Sequence, residues 1–215
     1  MARLVRTTKC GACGESKAVI SAVLGFCACC LRQADDARLE KVLAVHQASR
    51  RAYGLPGRVP RTAGGVSCGV CGNECQMGEG EQGYCGLRVN CGGKLVTLGG
   101  TPERGLVEWY YDPLPTNCVA DWVCPGGVGA GYPKFAHAPG PERGYKNLAV
   151  FYNACTFNCL FCQNWHYRER QHRSAVMTAD ELAAAVDEAT SCICYFGGDP
   201  TPQIAHALAA SEAAL

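Results

Sequence analysis

Asn147-Leu148-Ala149-Val150-Phe151-Tyr152-Asn153, running on into Ala154-Cys155-Thr156-Phe157-Asn158-Cys159-Leu160-Phe161-Cys162-Gln163-Asn164, is the stretch on which the reading of this chain turns. Its first half is short, apolar and aromatic-rich, which predicts a buried strand. Its second half sets Cys155, Cys159 and Cys162 on one tight loop just past the carboxyl end of that strand, where parallel α/β folds house their sites. Three thiolates at this C-x3-C-x2-C spacing suit three irons of a cubane iron–sulfur cluster and leave the fourth iron without a protein ligand. An iron left open is a place for chemistry. The plainer alternative for the same residues is a zinc knuckle completed by another cysteine or by His166.

Downstream, Met177 to Thr190 (MTADELAAAVDEAT) predicts a helix. Thr178 is its N-cap, Glu181 completes a capping box, and Leu182, Ala185, Val186 and Ala189 share an apolar face. Ser191 to Phe196 predicts a second strand ending in Gly197-Gly198-Asp199-Pro200, where glycine lets the backbone approach a ligand and take positive φ. Thr201 to Leu215 reads as a last helix.

C-x3-C-x2-C with Phe161 before the third cysteine, followed one βα unit later by Gly197-Gly198-Asp199-Pro200, resembles the opening of a radical SAM enzyme core. The resemblance implies that Cys155, Cys159 and Cys162 ligate a [4Fe-4S] cluster. It also implies that the amino and carboxylate groups of S-adenosyl-L-methionine chelate the open iron, and that Gly197, Gly198, Asp199 and Pro200 contact the cofactor's methionine end. The superfamily's usual second motif is Gly-Gly-Glu-Pro, so Asp199 is one methylene shorter than the residue it replaces. The activity implied is reductive cleavage of S-adenosyl-L-methionine to a 5′-deoxyadenosyl radical that takes a hydrogen atom from a substrate, with a flavodoxin or ferredoxin-like protein as one-electron donor.

A narrower likeness reaches upstream. Cys68-Gly69-Val70-Cys71-Gly72-Asn73-Glu74-Cys75, Gly83-Tyr84-Cys85-Gly86-Leu87-Arg88-Val89-Asn90 and Gly93-Lys94-Leu95 resemble the N-terminal segment of the pyruvate formate-lyase activating enzyme-like group, which includes the radical SAM member of the AmmeMemoRadiSam set. With Phe161-Cys162-Gln163-Asn164 the likeness spans roughly Cys68 to Gln203, while Asp112 to Gly126 departs from that group's pattern. In activating enzymes of this kind the substrate is a glycine backbone of a partner enzyme, so a protein substrate is the matching expectation.

Seventeen cysteines in 215 residues would mark a disulfide scaffold in a small secreted chain. The start MARLVRTTKC, however, has no apolar signal-peptide core, and no run is long enough to span a bilayer. The expectation is a cytoplasmic protein whose clustered cysteines are metal ligands. A net charge of +1 gives no electrostatic case for nucleic acid or for an anionic membrane.

Three parts are expected along the chain. Residues 1–55 form a zinc-ribbon-like module, with Cys10, Cys13, Cys27 and Cys30 as zinc ligands (a redox or cluster role being the alternative), Cys29 as a spare thiol, and a helix from Leu31 to Tyr53 with Leu39, Val42, Leu43 and His46 on one face. Gly54 to Gly65 reads as a linker. Residues 66–143 form a cysteine-, glycine- and proline-rich module in which Cys68, Cys71, Cys75 and Cys85 hold zinc or an auxiliary cluster. Cys91, Cys118 and Cys124 are unassigned and open to replacing or supplementing that set, and Lys94 to Leu98 is a short strand. Residues 144–215 are the N-terminal part of a radical SAM-like core. There, Cys192 and Cys194 share one face of the second strand and read as buried small hydrophobes rather than ligands. His166 and His172 lie in a solvated polar loop, and Lys134, His137 and Arg143 are solvent-exposed.

The fold class expected is α/β, a partial parallel barrel preceded by small cysteine-rich modules. A barrel of about six βα units, at ~30 residues each, needs far more than the 69 residues from Asn147 to Leu215. The chain is therefore expected to be a fragment of a longer enzyme, a broken gene product or one piece of a split protein, with its second strand an unpaired edge. Two functions from different classes follow: a radical SAM enzyme, or a non-catalytic iron–sulfur or zinc protein that carries electrons or docks partners.

Overall fold

The computed structural model describes residues 8–17 and 19–215, and the chain divides into two compact units, the first ending at Arg58 and the second running Val59–Leu215. In the first, strands β1 (Thr8–Lys9) and β2 (Ser16–Lys17) pair antiparallel, and helices α1 (Ala28–Arg32) and α2 (Asp36–Arg51) follow. The single helix expected from Leu31 to Tyr53 is thus two helices. The break falls at Asp35 because its carboxylate accepts from Arg38 N at 2.9 Å and caps a new helix start. The face expected to be apolar is only partly covered. Val42 packs against Phe26, Cys10 and Cys27, whereas Leu39 and Leu43 stay exposed.

In the second unit, Pro60 and Thr62 flank Gln76 with backbone hydrogen bonds, so this end of the stretch read as a linker belongs to the folded module. Two small antiparallel pairs come next: β3 (Val66–Ser67) with β4 (Gln76–Met77), and β5 (Arg88–Cys91) with β6 (Lys94–Thr97). The main sheet holds β7 (Gly105–Pro113), β8 (Lys146–Tyr152), β9 (Val176–Met177) and β10 (Thr190–Gly197) in the order β10-β8-β7-β9. Only β8 and β10 run parallel; β7 is antiparallel to both β8 and β9. The second and third parts expected from sequence share this sheet, since β7 pairs along its length with β8. Short helices α3 (Pro125–Val128), α4 (Tyr167–Arg170) and α5 (Ala179–Ala183) and the longer α6 (Ile204–Ala213) complete the unit. No described helix is long and apolar enough to cross a membrane.

Alternation along the strands decides the layers. Val107, Leu148, Val150 and Tyr152 point to one face and are buried under Ala179 and Leu182 of α5 and Ala207 and Ala210 of α6. The other face carries Tyr110, Asp112, Asn147, Ala149 and Phe151, with Cys192 and Cys194 in register beside Asn147 and Ala149. The capping box at Thr178 and Glu181 forms as read. The helix it starts is five residues rather than fourteen, because Ala185 and Val186 close tighter turns onto Leu182 and Ala183 and Tyr111 donates to the Ala185 carbonyl.

Two buried polar side chains of the last segment lock it to the sheet. Gln203 bonds both the N–H and the carbonyl of Leu106, at 2.8 and 3.2 Å. His206 Nε2 faces the Met177 carbonyl at 3.0 Å and must donate, which leaves Nδ1 to accept from the Tyr152 hydroxyl at 2.8 Å. Gly105 passes so close to this ring that a Cβ would collide with it. Burial holds the imidazole below its ordinary 6.5, with the Met177 and Thr178 backbone pulling weakly the other way. A histidine with a depressed folded-state pKa contributes stability that is full above its unfolded pKa and is lost as pH falls below that value toward the folded one. The three tryptophans, Trp109, Trp122 and Trp165, all lie in the second unit and report on it alone. Urea midpoints followed by tryptophan fluorescence are expected to drop between pH 7.5 and 5.5, and His206→Gln to flatten that drop.

Candidate metal centres

The loop after β8 is shaped by the end of β10. Asp199 N donates to the Ala154 carbonyl at 3.2 Å, which brings the Gly197-Gly198-Asp199 turn against the start of the cysteine loop. Gly198 takes φ +65°, and a Cβ there would strike the Tyr152 carbonyl oxygen, so only glycine permits the approach. One Asp199 carboxylate oxygen accepts from Thr156 N at 3.1 Å and from the Thr156 hydroxyl; the other accepts from Thr201 N at 3.0 Å and its hydroxyl at 2.6 Å. Burial works against ionisation of Asp199, but these donors outweigh it and hold the carboxyl below its ordinary value. Both oxygens are thereby engaged within the chain.

Cys155 and Cys162 are half-buried and Cys159 is exposed. Phe157 N donates to Cys155 Sγ at 3.4 Å, and Arg168 reaches the Cys159 carbonyl. Burial pushes the Cys155 thiol up to about 11, and Asp199 and the other two cysteines push the same way. The bare thiol therefore keeps its proton near neutrality, and a bound cation is what would hold it as thiolate. Phe157 and Phe161 stand out into solvent, 61 and 87% exposed. Beside the loop lies a cleft of about 280 Å³ lined by Trp109, Tyr110, Phe151, Asn153, His166 and Gly198, among others. Asn153 is buried, and its Nδ2 has no hydrogen-bond partner in the chain.

The N-terminal set closes more tightly. The sulfurs of Cys10, Cys13, Cys27 and Cys30 all lie within 4.8 Å of one another, with Cys13 and Cys27 at 4.0 Å. Ala12 N and Cys27 N point at Cys10 Sγ, at 3.5 and 3.3 Å. The backbone N–H groups of Cys13, Cys27 and Ala12 draw the Cys10 thiol down to about 6, while Cys27 beside it, and then burial, push Cys30 up to about 12. Four sulfurs so close cannot all ionise without a cation among them, and they suit one tetrahedral ion. Cys29 is exposed beside the set.

The second set stands against the cysteine loop. Cys85 packs with Ala154, Gln171 donates to the Cys85 carbonyl at 2.7 Å, and Asn73 donates to the Thr156 carbonyl at 2.9 Å. Cys75 and Cys85 are buried and Cys68 and Cys71 half-buried. Burial raises the Cys75 and Cys85 thiols, and Cys68 and Cys71 act on both. Among the described residues, no three sulfurs of this set or of the cysteine loop converge to 4.8 Å as those of the first set do.

Two expectations are corrected. Cys192 is exposed and Cys194 half-exposed, because α5 and α6 cover only the face of β10 that carries Ile193 and Tyr195. The polar stretch after the loop is in part buried: Tyr167 and Arg168 of α4 and the following Gln171 are buried, while His166 and His172 are exposed as read, His166 stacking on Trp165 at 4.1 Å and lining the cleft. Lys134, His137 and Arg143 are exposed as read. Thr156, Thr201, Asn153 and Asn73 were not singled out in the sequence. Their role depends on long-range approach, and single polar residues beside a cysteine motif carry no signal of it.

The Radical SAM superfamily model matches residues 149–215, which take in most of β8, the cysteine loop, α5, β10 and α6. An uncharacterized protein of Methanocaldococcus jannaschii is 28% identical over 100 residues, which is 46% of this chain and 23% of that protein; the match spans less than a quarter of the relative. No solved structure matches.

Two outcomes are expected from the geometry. Cys27→Ser should remove one equivalent of zinc from zinc-loaded chain, measured by metal analysis. Asp199→Ala, which strands the half-buried donors of Thr156 and Thr201, should cost about 1–3 kcal/mol in urea unfolding by tryptophan fluorescence and speed alkylation of Cys155.

Proposed function

We propose that residues 144–215 are the N-terminal part of a radical SAM core, that Cys155, Cys159 and Cys162 hold a [4Fe-4S] cluster, and that the adjoining cleft takes S-adenosyl-L-methionine. The observation that carries this reading is the approach of the Gly197-Gly198-Asp199 turn to the cysteine loop at the carboxyl ends of two parallel strands, within the segment matched by the superfamily. The residues fit such a group. The thiols sit on one loop with their sulfurs spread wider than a single ion needs, and the cleft beside them offers a buried, unpartnered amide N–H on Asn153. When bound, the cluster and cofactor would supply one-electron cleavage of the cofactor's C5′–S bond and a 5′-deoxyadenosyl radical for hydrogen abstraction.

The chain's own residues have distinct tasks in this reading. Asp199 positions the cysteine loop through Thr156, so the contact to the methionine end falls to Gly198, which lines the cleft, and to Gly197 and Pro200 beside it. Asn153 offers its amide to a polar group of the ligand. Trp109, Tyr110 and Phe151 exclude water from the cleft floor. Exposed Cys159, between Phe157 and Phe161, is the side open to a flavodoxin or ferredoxin-like donor. The Cys68, Cys71, Cys75 and Cys85 module, packed on the loop, is a zinc or auxiliary cluster site; the Cys10, Cys13, Cys27 and Cys30 set is a zinc site. A partial barrel, a protein substrate of the pyruvate formate-lyase activating enzyme type, as in the AmmeMemoRadiSam-related group, and a reducing cytoplasmic setting complete the reading. A second reading, a non-catalytic metal protein that carries electrons or docks partners, is favoured by the closure of the N-terminal sulfur set alone.

Electron paramagnetic resonance on the anaerobically reconstituted, dithionite-reduced full chain separates the two. The expected result is a cluster spectrum that shifts when S-adenosyl-L-methionine is added, with the shift lost in a Cys155→Ala, Cys159→Ala, Cys162→Ala variant. A cluster indifferent to the cofactor supports the second reading, and a triple variant that keeps all its iron removes the cluster from this loop.

A further inference from the structure

Cys118, Cys124, Cys192 and Cys194 take no part in the centres described above, yet two independent chains of contacts lead from the loop that carries Cys118 and Cys124 to the strand that carries Cys192 and Cys194. In the first, Cys118 N donates to Thr116 Oγ1 at 3.1 Å, the Thr116 hydroxyl donates to Asp112 Oδ2, and Asn147 Nδ2 donates to the same oxygen at 3.0 Å. Asn147 on β8 stands in register with Cys192 on β10, so Cys118 is tied to the start of β10 across two strands. In the second, the Cys124 carbonyl accepts from Gly127 N and Val128 N as α3 begins, and the Gly126 carbonyl accepts from Glu142 N at 2.9 Å. The buried Glu142 carboxylate accepts from the Ser191 hydroxyl at 2.5 Å, one residue before Cys192. Cys194 lies two residues further along β10 and on the same face.

Cys194, Cys124 and Glu142 are charged neighbours of Cys192, and Cys118, Cys124 and Asp112 are charged neighbours of Cys194. A local detail repeats too. Ala120 N points back at Cys118 Sγ at 3.4 Å, the same residue-plus-two N–H to sulfur turn found at Cys10, at 3.5 Å, and at Cys155, at 3.4 Å. That turn recurs at the first cysteine of three separate groups.

We propose that Cys118, Cys124, Cys192 and Cys194 form a fourth cysteine centre, a tetrathiolate site for a divalent zinc-class ion that staples the glycine- and proline-rich segment 114–142 to the edge strand β10. Four thiolates without an open position suit a structural ion. No three of these sulfurs lie within 4.8 Å of one another as those of the N-terminal set do, so binding has to draw them together. Segment 114–142 contains a single-turn helix and a 3-10 turn, little core of its own, and gains most from such a staple. Cys192 and Cys194 are the third and fifth residues of β10, which ends at the Gly197-Gly198 turn, and neither belongs to the cysteine loop.

The test is differential alkylation of the reduced full chain with N-ethylmaleimide, read peptide by peptide by mass spectrometry, with and without zinc, alongside zinc analysis of Cys192→Ser/Cys194→Ser and Cys118→Ser/Cys124→Ser variants. The expected result is joint protection of all four cysteines by zinc, released by a chelator. Each double variant should also lose one zinc equivalent and leave the other pair open to alkylation. Equal labelling of the four with and without zinc in the unsubstituted chain overturns the proposal, and this arm does not depend on any variant folding. Protection that a phosphine reductant removes without a chelator identifies a disulfide and also overturns it, as does unchanged zinc content in both variants.

Discussion

One carboxylate ties the second unit's two parallel strands together at the end where the chemistry is expected. Asp199 sits at the close of β10 and accepts from four donors on two threonines, one on the cysteine loop after β8 and one at the start of the turn into α6. A charge-assisted hydrogen bond is stronger than a neutral one, and an acceptor that serves a loop and a helix start at once fixes their relative positions. A glutamate, longer by one methylene, would have to fold back to reach the same donors. The shorter side chain is therefore suited to holding the loop rather than to reaching out into the cleft. The glycines before it serve the same approach: Gly198 must lie on the Tyr152 carbonyl for the carboxylate to arrive where it does.

Thiol electrostatics set the second constraint. In the N-terminal set the neighbouring sulfur of Cys27, and then burial, raises Cys30; at Cys155 and Cys192 burial leads and neighbouring cysteines add to it. Cys10 is the exception, because three backbone N–H groups point at it, and such an N–H pattern is what a thiolate ligand requires. The modules that carry these cysteines are short strands and turns with small cores, as Cys10, Phe26 and Cys27 illustrate. Folds of this size gain stability from ions where apolar burial is insufficient, and the folding and metal affinities become linked.

Much of this was legible in the sequence, for reasons that differ from residue to residue. Leu148 to Tyr152 lie in a strand because this run is apolar and aromatic, with Leu148, Val150 and Tyr152 buried under α5 and α6 and Phe151 stacked on Tyr110 on the other face. Thr178 and Glu181 announce a helix start because capping is local chemistry. Its end is not legible locally because the terminating contacts, Tyr111 to the Ala185 carbonyl and Lys146 to Asp187, come from other strands. The same holds for β7. Leu106 to Tyr111 is rich in β-formers and could have been read as a strand, but its antiparallel pairing with β8 depends on the long excursion through residues 114–145. The cysteine pairs at 10/13 and 27/30 were readable from spacing alone. Cys118, Cys124, Cys192 and Cys194 were not, because what unites them is Asp112, Asn147, Glu142 and Ser191, polar residues whose partners lie 35 and 49 positions away.

The sheet's two faces divide structure from function. Helices α5 and α6 cover Leu148, Val150 and Tyr152 and make the stable layer, with Gln203 and His206 satisfying the backbone of β7 and β9 from inside it. The opposite face is left polar and aromatic, with Asp112, Asn147, Tyr110, Phe151 and the β10 cysteines along it. Its two ends differ in character. At the carboxyl ends of β8 and β10 a loop of three cysteines opens toward solvent beside a cleft of aromatic and polar side chains. At the amino end of β10, buried Glu142 and its hydrogen bond to Ser191 anchor the long excursion to the sheet. In the proposed reading the open end admits the cofactor, and the fastened end keeps the sheet's geometry while it does so.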